Sequence, residues 1–228
     1  MIQKKRGICF KLTPPAVDPD KINGIVIINH GYSEHLSRYD SLAEMFCKDN
    51  WGVVTYDLRG HGDSAGDRGY ISRFKQYLED LDMIVEESKS LTNGEDKPII
   101  FLAHSLGGLI TLRYYLDEKY HKKLKNVKAL FLCAPFVKYA GQISKKDQRK
   151  LKVLTILAPR TRTKPNPGVV YEVNHIPEEQ EKRKADSKAF FHSTIRWVTE
   201  YAKAQEFVHK KFKDIDIPTH VSTFIARE

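Results

Sequence analysis

Phe101-Leu102-Ala103-His104-Ser105-Leu106-Gly107-Gly108 is the stretch on which the reading of this chain turns. An apolar run from Pro98 to Ala103 breaks at a serine, and a helical pattern begins at once and continues to about Asp117. A serine at a strand–turn–helix junction is held on a sharp, strained turn with its oxygen exposed at the C-terminal edge of a sheet. Its neighbours must be small because strand and helix pass close to it. Ala103 and Gly107 meet that need, in a G-x-S-x-G pattern whose first glycine is replaced by alanine. Ser105 is therefore a candidate nucleophile.

Working outward, the same rhythm repeats. Gly24 to Asn29 (GIVIIN) and Gly52 to Tyr56 (GVVTY) are β-branched runs, and Val127 to Cys133 (VKALFLC) is a fourth apolar segment. Helical patterns lie between them, from about Ser37 to Lys48 and from about Ile71 to Leu91, the latter with Phe74, Tyr77, Leu78, Leu81 and Ile84 at helical spacing. Strands apolar on both faces that alternate with helices predict a mostly parallel sheet covered on both sides, an α/β fold.

The chain of 228 residues is long enough for one sizeable domain with an insertion. With 41% hydrophobic and 29% charged residues it has the composition of a globular protein, and no run approaches the ~18 apolar residues of a membrane span. Cys9, Cys47 and Cys133 lie far apart and form no C-x-x-C pair, which argues against a disulfide framework or zinc site and favours the cytoplasm. The basic N-terminus runs on without an apolar core or cleavage site, so no secretory signal is read.

Acyl transfer needs N–H donors aimed at the developing oxyanion, commonly one from the residue after the nucleophile and one from the loop after an earlier strand. Leu106 is the first candidate. His30-Gly31-Tyr32 follows the first buried strand, its glycine lets backbone approach a ligand, and the Tyr32 N–H is the second.

Three blocks now form a recognisable set: Val26-Ile27-Ile28-Asn29-His30-Gly31-Tyr32-Ser33-Glu34-His35-Leu36-Ser37-Arg38-Tyr39, then Tyr56-Asp57-Leu58-Arg59-Gly60-His61-Gly62-Asp63-Ser64-Ala65-Gly66, then the Ser105 turn. In order and spacing they resemble the monoacylglycerol lipase and lysophospholipase branch of the α/β-hydrolases, and Cys133-Ala134-Pro135 resembles the step at which that branch leaves the sheet for its cap. The similarity runs from about residue 7 to residue 136. It implies the α/β-hydrolase fold, an esterase acting on a fatty-acyl glycerol or lysophospholipid, Ser105 as nucleophile, Tyr32 and Leu106 as oxyanion donors, and no metal or organic cofactor. Asp57, Arg59 and His61 match the family pattern and are read as structuring their loop.

The other end departs from that pattern. A serine needs a general base, usually a histidine oriented by a carboxylate, and in this fold both follow the nucleophile. Ile217 to Ile225 reads as the strand before the acid; Glu228 alone stands near the acid's place, and no histidine follows it. His104 should point away from the serine it adjoins, His220 falls in the last strand, and His121, His175, His192 and His209 lie in polar, surface-like contexts. The expectation is an incomplete triad with no base histidine, in a hydrolase lacking its C-terminal part and exposing an apolar sheet edge.

The domain reading is a core over residues 1–135, a cap insertion over 136–210 and a return to the core over 211–228. Between Lys138 and Lys164 stand nine basic residues and one acid, while the chain as a whole carries +9. Leu151, Val153, Leu154, Ile156 and Leu157 interleave with Lys150 and Lys152. Two readings stand: residues 138–164 touch an anionic membrane surface peripherally, or they form a cap helix with its apolar face on the domain below. Nucleic acid is not expected, because no aromatic interleaving or recognition motif is present. The oligomeric state is not legible. The functional expectation is a serine ester hydrolase of lipid type, with a noncatalytic lipid- or membrane-binding relative as the alternative.

Overall fold

In the computed structural model, residues 1–137, 151, 153–163 and 176–222 are described. Among the described residues, seven strands form one sheet in the order β1-β2-β4-β3-β5-β6-β7. They are β1 (Ile2–Lys5), β2 (Ile8–Thr13), β3 (Gly24–Asn29), β4 (Trp51–Tyr56), β5 (Ile99–His104), β6 (Val127–Cys133) and β7 (Thr219–Ser222). From β4 to β7 every neighbouring pair is parallel, whereas β1–β2 and β2–β4 are antiparallel. The α/β fold class expected from the alternating pattern is the one observed.

Helices flank the sheet: α1 (Asp40–Lys48), α2 (Lys75–Ser88), α3 (Leu106–Tyr115), the short α4 (Glu118–His121), α5 (Pro177–Ala185) and α6 (Ile195–Lys211). The main core gathers Ile25, Ile27, Phe101 and Leu130 from the sheet with Leu81 and Ile84 of α2, Leu109 and Leu112 of α3, and Trp197, Tyr201, Ala204 and Val208 of α6. On the opposite face Val26, Ile28 and Val53 pack on Ala43 of α1. Period-two alternation in β3 thus feeds two cores at once, which is why the run reads as continuously apolar.

Several boundaries differ from the sequence reading. The N-terminal hairpin was not anticipated; it turns on Arg6 and Gly7 at φ 49° and 82°, the left-handed pair that a two-residue hairpin loop demands. α2 starts at Lys75 rather than Ile71, because the Phe74 N–H is taken by Glu200 Oε2 of α6 at 3.0 Å. α5 and α6 are separate helices, divided by residues 186–194, and Thr194 caps α6 by accepting the Trp197 N–H. Of the last strand, Thr219–Ser222 is observed and 223–228 lie outside the described residues. Among the described residues β7 is an edge strand; its Val221 and the neighbouring Phe131 of β6 are 45% and 43% exposed.

Candidate active site

The register of the sheet explains why distant blocks of sequence meet. β3 and β5 are parallel neighbours with Asn29 opposite Ala103, so the loops leaving them, His30-Gly31-Tyr32 and Ser105-Leu106, emerge side by side at the C-terminal edge. β4 adds on the other side of β3, which makes this the point where strand order reverses, the usual crevice for a ligand in an open parallel sheet.

Ser105 stands at φ 47° and ψ −112°, a backbone conformation that costs an L-residue of order 1–3 kcal/mol. Its surroundings hold it there. The Ser105 N–H donates to Cys133 O at 3.0 Å, and its carbonyl accepts from Phe136 N at 2.9 Å and Leu109 N at 3.2 Å. α3 starts directly after it, so the Leu106 N–H belongs to the helix's unpaired first turn. A Cβ at Gly107 would lie 2.2 Å from the Asn29 carbonyl oxygen and 2.7 Å from that of His30, and one at Gly108 would lie 2.8 Å from Pro135. That crossing is the reason for the glycines.

The neighbouring loop is held as tightly. Gly31 Cβ would fall 2.8 Å from His104 Nδ1. Glu34 Oε2 accepts from the Gly31 N–H at 2.8 Å and the Tyr39 hydroxyl at 2.8 Å, and lies 3.2 Å from His104 Nδ1. Burial opposes ionisation of Glu34, but the His104 hydrogen bond and charge and the Gly31 N–H outweigh it, holding the carboxyl well below the usual range. Glu34 stood in the quoted block without a role; its position three residues after the glycine it caps is the signal that could have found it. His104 turns away from Ser105 toward this carboxylate.

Burial, the largest effect, pushes His30 down and keeps it neutral. His61 is likewise buried and held down to about 3 by desolvation first and by the nearby His30 second. Its Nδ1 lies 3.0 Å from the Arg59 carbonyl, and Nε2 has no partner among the described residues. Asp57 accepts the Leu36 N–H on one oxygen and the Asp63 N–H on the other, both at 2.7 Å. Arg59 pairs with Asp80 of α2. These contacts give all three residues of the second block structural partners, Asp57 reaching across to Leu36 of the first block.

Residues 186–197 close over the site. The Tyr32 ring meets Trp197 (centroids 4.4 Å apart), Phe190 (5.1 Å) and His61 (5.3 Å), and its hydroxyl donates to His192 O at 2.7 Å. Ser33 Oγ accepts the Phe190 N–H at 2.9 Å, and His35 Nε2 lies 3.0 Å from Asp186 Oδ2.

Among the described residues no histidine is hydrogen-bonded to the Ser105 hydroxyl. His121 Nδ1 lies against Tyr115 O, His220 stacks on Phe131, and His209 is exposed on α6. Glu228 and His175 lie outside the described residues, as does most of the basic stretch from Lys138 to Lys152. No group of three or more His, Cys, Asp or Glu among the described residues could hold a metal ion.

A strained serine heading a helix at the switch point of a largely parallel sheet, beside a glycine loop whose Tyr32 N–H has no acceptor among the described residues, defines the α/β-hydrolase class. Solved structures agree on the fold. A monoacylglycerol lipase from Paleococcus ferrophilus superposes with a TM-score of 0.75 over 95% of this chain and 77% of its own, at 22% identity. A monoglyceride lipase variant from Saccharomyces cerevisiae gives 0.77 over 98% and 75%, at 17% identity. The family model described as serine aminopeptidase, S33, matches residues 20–223, and the chain belongs to that family. The phospholipase YtpA of Bacillus subtilis is 26% identical over 188 residues, covering 82% of this chain and 69% of its own length. The monoacylglycerol lipase of Mycolicibacterium smegmatis is 32% identical over 152 residues, 67% of this chain and 51% of its own length. The chain thus spans about half of the mycobacterial relative.

Proposed function

We propose that this protein is a serine carboxylic-ester hydrolase for monoacylglycerols or lysophospholipids, working through an acyl-enzyme on Ser105. The observation that carries the reading is the Ser105 backbone, held at positive φ by three hydrogen bonds at the sheet's switch point. The Ser105 oxygen bonds to the acyl carbonyl carbon as its proton passes to a base. The carbonyl oxygen, now an oxyanion, is met by the N–H groups of Leu106 and Tyr32. Collapse expels the alcohol with a proton, and water releases the fatty acid by the reverse sequence. Relatives named as phospholipase and monoacylglycerol lipase support the lipid substrate, while peptidase or thioesterase chemistry would use the same machinery.

The base is the open element of this reading. Glu228 is the one carboxylate we assign to the acid's place, and no base histidine is assigned among these residues. That same observation supports a second reading, a noncatalytic lipid-binding relative in which Ser105 is idle. A fluorophosphonate probe separates the two: labelling that Ser105→Ala abolishes supports the hydrolase, and absence of labelling from the natural protein, with its intact mass determined, rejects it.

Residues 136–210 are proposed as the cap insertion, in a cytoplasmic protein that contacts anionic membrane peripherally through residues 138–164. Val153, Ile156 and Leu157 are 55%, 77% and 77% exposed and are followed in the sequence by the exposed Arg160 and Arg162, a mixture suited to the lipid interface. No described helix is long and apolar enough to cross a membrane. Salt-sensitive binding to anionic vesicles is the expected result, and equal binding to neutral vesicles would remove the proposal.

A further inference from the structure

We infer that His30 is a positioning residue: a buried neutral imidazole, fixed in one tautomer, that aims the Tyr32 N–H into the site by holding the Gly31 carbonyl. The inference rests on the reading of Ser105 as nucleophile and deepens it. Two contacts set the tautomer. The Leu58 N–H donates to His30 Nε2 at 2.9 Å, so that nitrogen must carry the lone pair. Nδ1 therefore carries the proton, and it lies 2.7 Å from the Gly31 carbonyl oxygen, which can only accept.

The consequence follows from peptide geometry. Gly31 C=O and Tyr32 N–H belong to one planar trans peptide, so they point in opposite directions. Tying the carbonyl back to His30 turns the N–H outward. A glycine at 31 would otherwise let this peptide rotate freely, since it lacks the Cβ that restricts φ and ψ. Glu34 secures the other side of the same residue through the Gly31 N–H at 2.8 Å. Gly31 is thus clamped at both of its backbone polar groups, and the peptide that follows it has one orientation. Leu58 opens the loop after β4, so the chain Leu58 N–H to His30 to Gly31 C=O also ties the orientation to the second sequence block. The Tyr32 N–H itself has no acceptor among the described residues, as an oxyanion donor requires.

The test uses the full chain and three measurements. Nitrogen-15 NMR of labelled histidine reads the tautomer directly: a protonated Nδ1 with an unprotonated Nε2 is expected, and an Nε2–H tautomer or a rapidly exchanging mixture overturns the inference. Second-order labelling of Ser105 by a fluorophosphonate reads the effect. His30→Leu is expected to slow it about 10- to 100-fold, because one oxyanion donor is no longer aimed. His30→Asn, whose side-chain amide sits near the Nδ1 position and donates to the same carbonyl, should restore labelling to within about 3-fold of wild type, since a single neutral hydrogen bond is what it replaces. Both variants lose the Leu58 contact, so the difference between them isolates the Gly31 donor. Equal labelling by His30→Leu and wild type, or no recovery in a folded His30→Asn, refutes the role. If wild type shows no Ser105-dependent labelling, the nucleophile reading fails instead. The Tyr32 amide order parameter then decides the positioning on its own: it should stay high in wild type and His30→Asn and fall in His30→Leu, and an unchanged value in His30→Leu overturns the inference.

Discussion

Lowering the pH should destabilise this protein through His61 well before its carboxylates are protonated. The ring is 1% exposed and wedged among His30, Tyr32 and Phe190, and its Nε2 has no partner among the described residues. A proton there would bring an uncompensated charge into the core. The folded-state value is held down to about 3, whereas the unfolded chain takes the proton near ~6.5. The sign follows: stability from the neutral ring is fully present above ~6.5 and is lost as pH falls toward the folded value, at about 1.4 kcal/mol per unit. At about pH 4.5 the loss amounts to about 2.7 kcal/mol relative to about pH 7.5, and any folded value below ~3.5 gives nearly the same figure. Carboxylates also contribute to acid denaturation, so the measurement is a difference. Urea titrations followed by tryptophan fluorescence would be run on wild type and His61→Phe, which keeps the ring contacts and cannot titrate. The stability advantage of wild type should shrink by about 2.7 kcal/mol across that interval, with unchanged m-values. Parallel pH profiles, or an NMR titration of His61 with a midpoint near ~6.5, would refute the reasoning.

Glu34→Gln should cost about 1.5–3 kcal/mol at neutral pH, the worth of hydrogen bonds to a charged acceptor; because its carboxyl is held below the unfolded value, the difference should close as pH falls below ~4.3, and a gap constant with pH would count against it. Gly107→Ala should lose about 3 kcal/mol or fail to fold, because the atoms a Cβ would strike are backbone carbonyls of Asn29 and His30 rather than a movable side chain; a loss below ~1 kcal/mol would mean the strand end gives way. Ser105→Gly should raise stability by about 1 kcal/mol by relieving the backbone, net of the added chain entropy, while Ser105→Ala stays within ~0.5 kcal/mol of wild type; equal stabilities for the two in urea titration would deny the strain.

How much of this was legible beforehand varies with the range of the interaction. The strands at Gly24–Asn29 and Val127–Cys133 fall where their apolar runs end; in the first, burial on both faces leaves an unbroken signal, while in the second Lys128 and Phe131 face solvent beside the edge strand. The N-terminal hairpin escaped notice: its strands are short and mixed in polarity, and its left-handed Arg6–Gly7 turn is not one of the commonest pairs. The late start of α2 was also hidden, since Glu200, the residue that caps it, comes 126 positions later.

At the site, sequence alone determined the serine turn, its small neighbours and the glycine loop, because each of these answers a constraint between residues a few places apart. Tertiary structure alone decided that β3 and β5 are neighbours with Asn29 opposite Ala103, and so that the two loops face one another. It also decided that Glu34 gathers Gly31, Tyr39 and His104 on one oxygen, and that His30 sits between Leu58 and Gly31. A histidine or glutamate in a sequence names a donor or an acceptor. Which proton it holds and which peptide it aims depend on groups brought within 3 Å by the pairing of strands, and that distance is set only once the sheet has formed.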